Sequence, residues 1–212
     1  MNRRHFLTIA GSVLVAAQHS GSAKVIHRPD SFASRVFVSI QASPSADDVR
    51  AVDSSVFHFT SVSDARLAVS HLSMKRETED RGEIYISNVE LIEEAPEEVA
   101  DASWFATYTT IAGVAGFKTQ HAHAIFATGN LLHEIEVTSE NAAVASTLLL
   151  DLADIVLATT TDRENGLWSH LVDLEDLPDN LKLYQQVDSQ SIFDSEGTPV
   201  PGDIPEWDQI GY

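Results

Sequence analysis

Apolar and polar residues change period several times along the chain, and each change marks an expected element. Short alternation begins at RVFVSIQA (35–42), with Val36 and Val38 on one side of a strand, and SSVFHFTS (54–61) reads as the next strand. Helical spacing follows in SVSDARLAVSHLSMKRE (61–77), where Ala65, Val69 and Leu72 fall a turn apart and Ser63 or Asp64 can cap the start. Four strand-like runs come next: EIYISNVELI (83–92), SWFATYTTI (103–111), FKTQHAHAIFA (117–127) and LLHEIEVT (131–138). Their connections, including AGVAG and TGN, are too short for parallel crossovers, so the runs predict an antiparallel meander.

SENAAVASTLLLDLADIVLATT (139–160) predicts one long helix, capped by Ser139 or Asn141. It is apolar around nearly its whole circumference except for a narrow stripe of Thr147, Asp151 and Asp154. Two central aspartates would each cost about 2.5 to 3.5 kcal/mol in lipid, which favours packing on the sheet over crossing a bilayer. The expected fold class is therefore α+β: an antiparallel sheet meander, a long C-terminal packing helix and at least one further helix on the sheet. Beyond Asp162 the chain becomes acidic and rich in Pro and Gly, yet it holds Trp168 and Trp207. Disordered tails rarely contain tryptophan, so residues 162–212 read as a partly ordered extension of a domain spanning 35–161.

Composition narrows the function classes. The 212 residues carry 32 acidic and 13 basic side chains, a formal net charge of −19, with only Lys24, Lys75, Lys118 and Lys182 as lysines. Phosphate backbones and anionic lipid are bound by clustered cations, so nucleic acid and membrane surfaces are not expected partners. Such a surface suits high solubility or a salt-rich habitat. With no cysteine, disulfides, thiol catalysis, Cys-bound zinc and a lipoprotein anchor are excluded.

The N-terminus supplies an address. Arg3 and Arg4 precede an uncharged run from Phe6 to Ala17, 12 residues against the roughly 20 that cross a bilayer, and small residues follow. Cleavage is expected after Ala17 or Ala23, with residues 1–23 as signal and 24–34 as linker. NRRHFLT resembles the twin-arginine (Tat) motif through Arg3, Arg4, Phe6 and Leu7, although Thr8 stands where a lysine is often found. The resemblance implies export of a folded protein to the periplasm, cell envelope or exterior. ATGNLLHEIEV and the helix after it also resemble the closing strand and helix of a PsbP/Mog1-like sandwich, over residues 56–160. That second likeness implies a fold and no chemistry.

Candidate chemistry concentrates in HAHAIFATGNLLHEIE. If Gly129 and Asn130 form a two-residue hairpin turn, His123 faces Glu136, His121 faces Thr138, Ile125 faces Glu134 and Phe126 faces His133. His121, His123 and Glu136 then share a face, the ligand set of a zinc, copper or non-haem iron site, while His133 lies on the other. The same pairing is also that of an ordinary cross-strand contact. Cupins carry a glycine-flanked glutamate after their HxH, but Ala127 and Thr128 stand there. No serine-hydrolase elbow, phosphate loop, HExxH or calcium loop occurs.

Three weaker sets have plainer uses. Glu93, Glu94, Glu97 and Glu98 form an acidic turn, Asp151 and Asp154 the wet edge of a helix, and Trp104, Phe105 and Tyr108 a core or an aromatic pocket. The expected function is a non-catalytic small-ligand or envelope-protein binding module without cofactor. The alternative is a metal-dependent enzyme built on the His face. If the route is Tat, replacing Arg3 and Arg4 by lysine blocks export. Fractionation and immunoblotting check this, and continued export through the general secretory channel would refute the route.

Overall fold

A computed structural model describes residues 28–41, 45, 47–78, 84–93, 96, 99, 102–112, 117–159 and 166–189. Residues 1–23, read as a signal, the acidic residues Glu94, Glu97 and Glu98, and Trp207 lie outside them. Seven strands, β1 (Ser31–Ser39), β2 (Val49–His58), β3 (Ile84–Leu91), β4 (Ser103–Ala112), β5 (Phe117–Thr128), β6 (Leu131–Ser139) and β7 (Leu181–Asp188), form one antiparallel sheet. Their order is β3-β4-β5-β6-β2-β1-β7. Helix α1 (Val62–Thr78) packs across β4, β5 and β6, and α2 (Ala142–Thr159) across β5 and β6. The fold is α+β, as the change of period predicts.

Each helix covers its own face. Ala65, Ala68, Val69 and Leu72 of α1 close over Phe32, Phe57, Trp104, Ala106, Ile125 and Leu132. Against the opposite face, α2 buries Ala145, Leu149, Leu152, Ala153 and Val156 beside Phe37, Val52, Phe105, Phe126, Ile135 and Val137. Thr147, Asp151 and Asp154 of α2 are exposed, as their stripe predicts. This helix is long and apolar enough to cross a membrane by length and composition, and the sheet occupies its apolar side instead.

Three local readings differ from the structure. Ser61 caps α1: its hydroxyl accepts from the Asp64 backbone N–H (3.1 Å) and donates to the Asp64 carboxylate (2.6 Å), so the cap precedes Ser63 and Asp64. For α2, by contrast, the cap is Asn141, one of the two residues expected, whose Oδ1 accepts from Ala143 N–H at 3.0 Å. The sheet also extends past both expected borders. β1 opens at Ser31, inside the segment read as linker, and β7 comes from the segment read as an extension. β7 is an edge strand with five successive exposed residues, Lys182 to Gln186, so its sequence lacks the alternation of a half-buried strand.

Leu149 is fully buried, so Leu149→Ala is expected to cost about 2 to 5 kcal/mol of folding stability. Asp151→Ala, one turn edge away and exposed, is expected to stay within about 0.5 kcal/mol. Urea denaturation of the two variants checks the contrast.

Candidate functional site

The β5–β6 hairpin sets the site. Gly129 takes φ +60°, the left-handed region that glycine enters without steric cost, and the strands pair directly on either side of Gly129 and Asn130. His123 pairs with Glu136, His121 with Thr138, Ile125 with Glu134 and Phe126 with His133, which is the register predicted for this turn. Asn130 anchors the turn outward, its Nδ2 donating to the Phe59 carbonyl at 3.0 Å and meeting His58 Nε2 at 2.8 Å.

His121, His123 and Glu136 therefore share the α1 face. β2 adds Asp53 opposite Glu136, and β4 adds Tyr108 opposite His121. His121 Nδ1 lies 2.5 Å from Glu136 Oε1 and Nε2 lies 2.8 Å from Thr110 Oγ1, so both ring nitrogens are engaged. The Tyr108 hydroxyl donates to the same Glu136 oxygen at 3.1 Å, and its ring stacks on His121 with centroids 4.9 Å apart.

His123 is 0% exposed and sits edge-on to Trp104, centroids 5.6 Å apart. Its Nε2 is 2.9 Å from Glu134 Oε1, but neither ring nitrogen has a hydrogen-bond partner. The contact is close enough for charge attraction without being aligned for a hydrogen bond. Among the described residues, no three His, Asp or Glu side chains converge closely enough to hold a metal ion. The two histidines turn instead to different glutamates.

Asp53 is where the electrostatics are least balanced. Burial pushes its carboxyl up to about 6, the charges of Glu136 and Glu134 add to the rise, and the His123 and His121 rings oppose it. Its Oδ1 is buried without a hydrogen bond.

Asp53 was not legible as a site residue because the β2–β6 register joins distant segments, and Thr110 was not because the AGVAG connection between β4 and β5 does not by itself fix a register. Glu134 was legible: it alternates with Glu136 along β6. The other sequence candidates are scattered. Asp151 and Asp154 lie on α2 over the opposite face, Glu93 is exposed, and Trp104 and Tyr108 face α1 while Phe105 faces α2, so these aromatics line no common pocket.

A separate cleft of about 470 Å³ opens where α2 begins. Val49, Val144, Leu148 and Pro178 give it apolar walls, and Asp47, Asp48, Asp151 and Asn180 add polar groups.

No family model matches the sequence, and no curated protein matches it significantly. Among solved structures, the extracellular domain of PknH from Mycobacterium tuberculosis matches 54% of this chain at 12% identity and a TM-score of 0.35, and this chain spans 62% of that one. PA94 from Pseudomonas aeruginosa, a protein of unknown function described as a putative regulator, matches 68% of this chain and 86% of its own at 13% identity and a TM-score of 0.33. Likeness of this degree carries no argument about activity.

The raised Asp53 value fixes the sign of a pH effect. The folded state holds a proton that the unfolded chain has released, so this contribution to stability is full below about pH 3.8 and lost as pH rises through about 6. Asp53→Asn is expected to remove it, leaving the variant about 1 to 3 kcal/mol more stable than wild type at pH 8 and no more stable at pH 4. Urea midpoints at the two pH values check this.

Proposed function

We propose that this chain is an exported, non-catalytic binding module for a small molecule with an apolar body and a cationic group. The observation that carries the non-catalytic reading is that the imidazole–carboxylate cluster is turned inward. A general acid or base must come within hydrogen-bond reach of its substrate. Here both nitrogens of His121 are engaged by Glu136 and Thr110, and His123 is wholly enclosed. Export rests on the twin-arginine resemblance and on the short uncharged run from Phe6 to Ala17 with small residues after it.

The cleft beside α2 supports the ligand class. Its volume of about 470 Å³ falls among ordinary small-ligand sites, roughly 300 to 1,000 Å³, and its walls offer apolar contact. Asp47, Asp48 and Asp151 give it a negative potential that favours a cation.

Hexylammonium is a suitable probe. It is expected to raise the melting temperature of the purified protein in a saturable way, whereas Thr147→Lys, which places a cation in the cleft wall, abolishes the rise. An equal rise in both proteins would overturn the cleft as the site. Stoichiometric zinc, copper or iron in protein purified from its native compartment, lost from the His121→Gln/His123→Gln double variant, would overturn the non-catalytic reading.

A further inference from the structure

Between α2 and β7 the chain crosses the second face of the sheet as a strap, residues 166–177, built from two short 3-10 turns, Leu167–His170 and Leu174–Asp176. Arg35 of β1 holds it: Nη1 donates to the Val172 carbonyl at 3.1 Å and pairs with Asp173 at 2.9 Å, and the guanidinium lies 5.6 Å over the Trp168 ring. The Val172 N–H donates to Ser54 Oγ at 3.2 Å. Leu171 packs with Ala33 and Val56.

The remaining contact is a pair of imidazoles. His170 of the strap lies beside His133 of β6, ring centroids 6.2 Å apart at 62°, and both residues are buried. His133 stacks on Phe126, and its Nε2 shares a 2.8 Å hydrogen bond with Thr128 Oγ1. The Nδ1 atom of each ring is buried without a hydrogen-bond partner.

Among the described residues, no carboxylate pairs with either ring. β1 brings Arg35, already matched to Asp173. β2 brings His58, held at the end of the sheet by Asp30 and Asn130. β7 brings Asp188, opposite Ala33, and the aspartates of α2, Asp151 and Asp154, are exposed. Within the strap, Asp176 accepts from the Asp173 N–H, and Glu175 is exposed.

We infer that His133 and His170 form an acid-sensitive latch: with both rings neutral the strap lies closed on the sheet, and their protonation drives residues 166–177 off it. Two buried imidazolium ions side by side, with no counter-charge among the described residues, both lose hydration and repel each other. Burial and the charge of the neighbouring His170 hold His133 down at about 3 against the smaller opposing pull of the His170 backbone, and burial lowers His170.

An open strap returns both rings toward the ordinary value of 6.5. The closed state is thus fully favoured above that pH, and it loses up to about tenfold per ring for each pH unit below it until the closed-state value is reached. Opening uncovers Ala33, Val56 and Leu131, on which Leu171 packs in the closed state.

Hydrogen exchange on the full chain tests the latch, read as protection factors so that the intrinsic pH dependence of exchange is removed. Between pH 7 and pH 5, protection of the Val172 amide is expected to fall more than tenfold while β5 and β6 amides such as Ala124 keep theirs. His170→Gln and His133→Gln, made singly and together, are each expected to shrink that fall. Constant Val172 protection in wild type would overturn the latch, as would a fall shared equally by Ala124 or one that persists undiminished in the double variant.

Discussion

Everything on this sheet depends on the register of one hairpin. Side chains alternate with a period of two, so slipping β6 by one residue against β5 would exchange its two faces. In the observed register Ile135 and Val137 meet the apolar side of α2, and Glu134 and Glu136 meet the imidazoles of β5. A slipped strand would press two carboxylates against Leu149 and Leu152, burying charge without a partner at a cost of several kcal/mol per ion. A glycine at φ +60° and an asparagine tied to β2 hold the turn that prevents this.

The two helices then give the faces different chemistry. α1 covers part of its face with apolar side chains, and Asp53, Glu134, Glu136, His121 and His123 lie together on the same face. On the second face, α2 and the strap exclude water from an almost wholly apolar surface with an imidazole pair in it. Low dielectric acts on both sites with opposite sign: it favours the proton on Asp53 and disfavours it on His133. Acid therefore favours the folded state through Asp53 and disfavours it through His133.

A seven-stranded open sheet has two outer edges, each able to pair with another chain. Both carry irregularities here. β3 breaks register between Ser87 and Glu90, where Asn88 takes φ +54°, and β7 meets β1 with a shift that leaves Tyr184 out of the pairing. Bulges twist an edge away from straight pairing, so the strands closest to solvent are poor templates for sheet extension.

Local pattern was enough to read the meander, both helices, the exposed stripe of α2 and the β5–β6 register, because each depends on residues near in sequence and on a strict period of two or 3.6. Placing His121, His123 and Glu136 on one face needed only the turn. That these side chains are paired off rather than gathered around one point was a tertiary outcome: Asp53 arrives from a strand remote in sequence, and Tyr108 and Thr110 from β4 through a connection that does not by itself fix a register. The sequence also hid β7, whose row of exposed residues is that of an edge strand and so lacks alternation. The His133–His170 contact joins residues 37 positions apart through a strap with no regular period, and only the packing of that strap on the sheet brings the two rings together.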